Sequence, residues 1–157
     1  MVSFIATCTG QLRSAGFTGI ISTVETVGTF QQYPALCQSL ESVVHANIHP
    51  YFNPATSSAD AGSFVVSQRS ILASLCGKSV IVSETGWPSG GGSNGAAIAS
   101  VADQQTALAS IKAATGSTGI TYFSFTNDDW KPAGVEQFFG NLSPFSPVDC
   151  VGLGGLF

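Results

Sequence analysis

Charge is scarce in this chain: 9% of its 157 residues are Asp, Glu, Lys or Arg, for a formal net charge of -4. The five Lys and Arg are spread out and make no basic stripe, which argues against nucleic acid as a partner. Long apolar runs are also lacking. None approaches the roughly 18 to 20 residues that span a bilayer, so a soluble protein is expected. The opening "MVSFIATCTGQLRSAGFTG" lacks the basic flank, continuous apolar stretch and small-residue cleavage site of a signal peptide. Either a signal has been removed or the chain begins partway into a longer one. No C-x-x-C pair is present to suggest zinc or thiol redox chemistry. The two histidines, His45 and His49, could share a face of a strand, but no third ligand lies at a suggestive spacing, which speaks against a metal site.

What is abundant points elsewhere. Hydrophobic residues make up 44% of the chain, enough to bury the core of one domain over residues 1–157. Eighteen glycines and seven prolines punctuate a sequence rich in Ser, Thr and Ala, a composition that suits a secreted protein handling neutral polymers. Cys8, Cys37, Cys76 and Cys150 are even in number and widely spaced. They read as two disulfides formed in an oxidising compartment, with all three connectivities open, or alternatively as four buried thiols.

Along the chain, strand-like and helix-like runs alternate. Residues 3–14 predict a helix ending near Gly16, and "TGIISTVE" (18–25) a buried strand. "PALCQSLESV" predicts a helix with Pro34 in its first turn, and residues 43–52 the next strand. A Ser-capped helix carrying Phe64, Val65, Ile71, Leu72 and Leu75 stops at Gly77. "SVIVSE" (79–84) is the third strand; a glycine-rich loop, a helix over 101–114 capped by Ser100, and a fourth strand at 119–125 follow. This order implies right-handed βαβ crossovers, hence an α/β fold with a parallel sheet. Chemistry in such sheets collects at the carboxyl ends of the strands.

Those ends carry the candidate site: Glu25 and Thr26, then Asn47, His49, Tyr51 and Phe52, then Glu84 and Trp87, then Asn127, Asp128, Asp129 and Trp130. A carboxylate at a strand end among aromatic rings can have its ionisation tuned and can reach an electrophilic carbon. The faces of Trp87, Tyr51, Phe52 and Trp130 would stack on sugar rings while Asn47 and His49 bond hydroxyls. For Tyr51 and Phe52 the competing reading is core or rim packing; for Trp87, beside Pro88, it is a wedge that sets the loop. "GGSNG" (91–95) matches a nucleophile elbow by letter, but its serine lies in a loop and both histidines precede it. The glycine run also lacks the Lys-Ser/Thr ending of a phosphate loop and reads as a flexible rim.

"VIVSETGWPSGGG" (80–92) resembles the signature of family 17 glycoside hydrolases, the β-1,3-glucanases and glucanosyltransferases of plants and fungi. "ANIHPYF" is similar to that family's sixth-strand motif and "TYFSFTNDDWK" to its eighth, with "GFTGIISTVET" as the fifth and "CGKSVIVSETGWP" as the seventh. "NPATSSADAGSFVVSQ" looks more like fungal members. The resemblance implies the last four units of an eight-stranded (β/α) barrel, a secreted or cell-wall enzyme, a β-glucan substrate and no cofactor. By position, Glu84 matches the nucleophile, which forms a covalent glycosyl-enzyme with inversion at each of two steps and net retention. Asn47, His49, Tyr51, Phe52, Trp87, Trp130 and Lys131 match groove positions.

Departures from the family pattern matter as much. The usual eighth-strand Glu is Ser124 here, and an Asp-Glu pair is Asn127 and Asp128. The family's general acid, in an Asn-Glu pair on the fourth strand, would lie upstream of residue 1. Retention needs two carboxyl groups about 5 to 5.5 Å apart. Glu25 ends a strand two places from that of Glu84, roughly 10 Å away at ~4.8 Å per strand spacing, and is expected to bond sugar or Glu84 rather than replace the acid. Two functions are therefore carried forward: a hydrolase or transglycosylase of β-1,3-glucan, inactive or weak as this isolated chain, and a carbohydrate-binding protein without turnover. A half barrel leaves an uncovered inner face of Ile20, Val24, Val44 and Ile81, which predicts either a homodimer completing the barrel or a chain that is a fragment of a longer enzyme with a missing N-terminal half. Asn141-Leu142-Ser143 fits the N-glycan sequon, weakened by Pro144.

Overall fold

A computed structural model describes residues 2–116 and 119–141. The chain order is α1 (Val2–Ser14), β1 (Val24–Thr26), α2 (Val27–Gln32), α3 (Ala35–Ser39), β2 (Val43–Asn47), α4 (Ala61–Cys76), β3 (Ser79–Thr85), β4 (Ser93–Asn94), β5 (Ala97–Ile98), α5 (Val101–Thr115) and β6 (Ile120–Tyr122). The main sheet has the order β1-β2-β3-β6 and every pairing in it is parallel. This is the α/β arrangement that the alternation of runs predicts.

Side-chain alternation gives the sheet two unlike faces. Val44, Ala46, Val80 and Val82 are buried and share a core with Val65 and Leu72 of α4 and Ala107 and Ile111 of α5. Each buried Val, Leu or Ile among them contributes about 1.5–3 kcal/mol. The opposite face carries Val24, His45 and Ile81 in one row of the register. Val24 is 47% exposed there and Ile20, just before the strand, 60%. Val44, expected among the uncovered residues, instead faces the helices, because it is one residue out of phase with His45.

The helices end where local chemistry ends them. Gly77 closes α4 in the left-handed region (φ 62°) and its N–H reaches the Ala73 carbonyl at 2.9 Å, a conformation that costs glycine little. Ser100 caps α5 by accepting from the Asp103 N–H.

Several predicted boundaries move. The strand expected over 18–25 pairs only at Val24–Thr26, since it is an edge with one neighbour and residues 18–23 have no ladder to join. The strand expected to reach Phe52 stops at Asn47, and Pro50–Phe52 turns into a 3₁₀ segment, as a proline without an N–H favours. Helix α2, capped by Thr26, was not foreseen. Cys37 and Cys76 form a disulfide between α3 and the end of α4. Cys8 is a free thiol, so one of the two expected bridges is present among the described residues. Cys150, and the sequon positions after Asn141, lie outside them.

Candidate active site

A break in the ladder aims the central carboxylate. Ala46 pairs with Val82, but the next residue, Asn47, pairs with Glu84, so β3 carries one extra residue, Ser83. Without that bulge Glu84 would keep the phase of Val80 and Val82 and point into the helix layer. With it, Glu84 joins Asn47 on the inner face and Thr85 returns to the core, where it is fully buried. The backbone at this point is held from both sides: Ile48 N–H donates to the Glu84 carbonyl and Phe123 N–H to that of Thr85, each at 2.8 Å. Gly86 must be small, since a Cβ there would lie 2.3 Å from the Phe123 carbonyl oxygen.

Glu84 opens into a cleft of about 630 Å³ at the carboxyl ends of the strands. Its side chain is 38% exposed, and Oε2 lies 3.4 Å from Nε2 of His49. That separation is long for a hydrogen bond and makes the contact weak. The His49 ring sits edge-on to Phe52, Phe123 and Phe139, with centroids 5.5–6.1 Å away. Burial in this cage lowers its pKa below the ordinary 6.5, although Glu84 and Glu136 pull the other way. His49 is therefore neutral at pH 7, and the pair is a neutral donor beside a carboxylate rather than an ion pair. Nδ1 is buried without a partner, which suits a bare lone pair better than an N–H, so the proton belongs on Nε2 facing Glu84.

The opposite wall comes from the segment after β6. Lys131 Nζ is 2.9 Å from Asp128 and 3.8 Å from Glu136, and lies 5.1 Å from the centre of the Phe123 ring. The segment doubles back through bonds from Ser124 N–H to the Phe139 carbonyl and from Asp128 N–H to that of Gln137, which seats Phe139 beneath the cleft. Phe52 stacks on Phe139 at 6.0 Å with 49% of its surface open, leaving an apolar platform beside the acid. Among the described residues no group of three His, Cys, Asp or Glu side chains could hold a metal ion.

Of the residues the sequence singles out, Glu84, Asn47, His49, Phe52 and Lys131 line this cleft. Four others do not. Tyr51 is 3% exposed, its hydroxyl donating to the Gly92 carbonyl; Trp87 is fully buried, its Nε1–H donating to Ile98. Both follow the packing alternatives, because the short β4–β5 hairpin folds back over them. That hairpin is also held in place: Asn94 donates to the Tyr51 carbonyl and Ala96 N–H to Pro54, so the glycine run is a pinned rim rather than a loose one. Glu25 shares the register of Ala46, on the helix side, and its neighbour Thr26 lines the cleft instead. Trp130 is 80% exposed outside the lining, its ring beside the Lys131 ammonium. Sequence reading overlooked Glu136, Phe123 and Phe139. Phe123 sits in the quoted eighth-strand motif, whereas Glu136 and Phe139 lie in a segment whose return to the sheet no local pattern announces.

Comparison with known proteins bears on the family and the fold. The chain is 40% identical over 150 residues to a probable beta-glucosidase btgE of Aspergillus terreus, covering 92% of this chain and 26% of that protein. It is 38% identical over 145 residues to a probable family 17 glucosidase SCW10 of Saccharomyces cerevisiae, covering 89% of this chain and 37% of the relative. It thus spans a quarter to about a third of the relatives it matches. Among solved structures, a glycoside hydrolase family 17 beta-1,3-glucanosyltransferase from Rhizomucor miehei superposes with a TM-score of 0.74 at 24% identity, over 88% of this chain and 51% of that one. An active-site mutant of the same enzyme, in complex with laminaritriose, gives 0.75 at 23%. At that identity the likeness establishes the fold, which is about half of a (β/α) barrel. The family model of the BtgE/BtgC glycoside hydrolase domain matches residues 1–140, and with the fold in agreement the chain belongs to that family.

Proposed function

We propose that this chain carries the nucleophile-bearing half of a retaining glycosidase or glucanosyltransferase acting on cell-wall β-1,3-glucan outside the cell. The observation that carries the reading is the position of Glu84, turned by the bulge into an open cleft beside a neutral imidazole and an exposed aromatic platform. A sugar ring laid on Phe52 would bring its anomeric carbon toward Oε1 or Oε2 of Glu84. The carboxylate attacks from one face and the leaving oxygen needs a proton on the other. His49 holds the carboxylate by one weak bond and adds no positive charge to blunt its attack. Asn47 lines the same cleft and would bond a sugar hydroxyl there.

Two cleft-lining carboxylates stand among the described residues, Glu84 and Glu136, and Glu136 is held near Lys131. The acid would come from the other half of the barrel, supplied by the remainder of a longer chain or by a second copy seated on the open sheet face. A binder without turnover is the second reading, favoured because no described residue is assigned as the acid partner of Glu84. Laminarin assays separate the two: reducing ends released by the chain and lost in Glu84→Gln support the enzyme, whereas binding that survives Glu84→Gln with no turnover in either supports the binder.

A further inference from the structure

Gln104 is an anomaly in the helix layer. Its neighbours on the buried side of α5, Ala107 and Ile111, are apolar, yet this amide is fully buried. Its Nε2 donates to two carbonyls from distant parts of the chain, Trp87 at 2.8 Å and Gly140 at 3.3 Å. Its Oε1 is buried with no partner. Leaving an acceptor unsatisfied costs about 1–3 kcal/mol, comparable to what the two bonds return. A methionine of similar length would fill the same space without that cost, so net stability is a weak reason for an amide here.

What the amide joins is more telling. Trp87 lies three residues beyond Glu84 on the segment that forms one wall of the cleft. Gly140 follows Phe139, on the returning segment that forms the other wall and also carries Glu136. The two segments meet elsewhere through Ser89, whose N–H donates to the Phe138 carbonyl at 2.8 Å, nearer the rim. Ser89 Oγ adds a second bond to the Phe138 carbonyl at 3.2 Å, and Gln104 ties the same two walls together from the helix layer.

Resting on the reading of Glu84 as nucleophile, we propose that Gln104 is a positioning residue that sets the separation between the Glu84 wall and the Phe139 wall of the cleft. It touches neither substrate nor the reacting atoms. A displacement of about 1 Å at a reacting pair can cost on the order of a hundredfold in rate, so a single amide in this place has leverage.

The test compares the full chain with Gln104→Met, and with Ile111→Val as a packing control on the same helix. The ring ¹⁵N signals of His49 report where Glu84 sits, with or without any glucan. In the folded Gln104→Met chain they are expected to move from a single-tautomer pattern toward an averaged one, while Ile111→Val leaves them in place. Should the wild-type chain turn over laminarin, Gln104→Met is expected to lower kcat by roughly tenfold to a hundredfold with KM little changed. If Gln104→Met does not fold, Gln104→Glu is used. A buried carboxyl has its pKa raised, and when protonated it donates one of the lost bonds, so as pH falls the His49 signals of the variant converge on those of the wild type measured at the same pH. His49 signals unchanged in a folded Gln104→Met, equal shifts in Ile111→Val, or no acid recovery in Gln104→Glu each overturn the proposal. Absence of glucan binding by the wild type counts against the functional reading alone.

Discussion

Two tryptophans illustrate how differently one residue type can serve. Trp87 is fully buried against Tyr51 and bonded through its indole N–H, so Trp87→Ala is expected to cost about 3–5 kcal/mol in denaturant unfolding. Trp130 is mostly in solvent, and Trp130→Ala is expected to change stability by no more than about 0.5 kcal/mol. Equal losses would contradict the assigned packing. His49 makes a pH-dependent prediction. Above pH 6.5 its ring is neutral in both folded and unfolded chains. Below that, the unfolded chain takes up the proton first, because the aromatic cage depresses the native value even with Glu84 and Glu136 facing the ring. Stability therefore falls as pH drops below 6.5, and His49→Gln is expected to flatten that part of the profile. Urea unfolding across the range checks it, and an unchanged slope in the variant would show that the ring is not held neutral.

At the scale of elements, the disulfide ties α3 to the end of α4 across 39 residues of sequence. Closing a loop of that length restricts the unfolded chain by about 4 kcal/mol on a chain-entropy argument, so Cys37→Ala with Cys76→Ala is expected to lower Tm by about 8–16 degrees, at roughly 2–4 degrees per kcal/mol for a chain of this size. A shift of a degree or two would mean that the bridge constrains little. The same scale explains what the sequence discloses. Helices α4 and α5 and strand β3 are legible because apolar spacing, Ser100 and Gly77 all agree. The bulge at Ser83 is not, because β-branched alternation up to Val82 gives no hint that the phase will slip, and that slip decides where Glu84 points. Tyr51 and Trp87 are misplaced as groove residues for a related reason. Which way an aromatic side chain turns at a strand end depends on the hairpin that later folds over it. Nor does any local pattern in residues 135–141 indicate that Phe139 will return beneath His49.

At the scale of the molecule, the sheet has a covered face and an open one. Val24 and Ile20 stand exposed beside edge strand β1, where unpaired backbone groups invite a further strand. No described helix is long and apolar enough to cross a membrane. Multi-angle light scattering of the chain is expected to report a mass above one copy, or a monomer that binds a hydrophobic dye. A monomer that binds no dye would mean the inner face is closed in a way the structure does not have.

The central claim is that Glu84 bonds to an anomeric carbon, and it can be tested without a general acid. A 2-deoxy-2-fluoro laminaribioside with a dinitrophenolate leaving group departs unprotonated, and the fluorine slows release of the sugar from the protein. After incubation, peptide mass spectrometry is expected to find the added sugar on Glu84, with no label in Glu84→Gln. No adduct on the folded chain, or an adduct on another residue, would contradict the account.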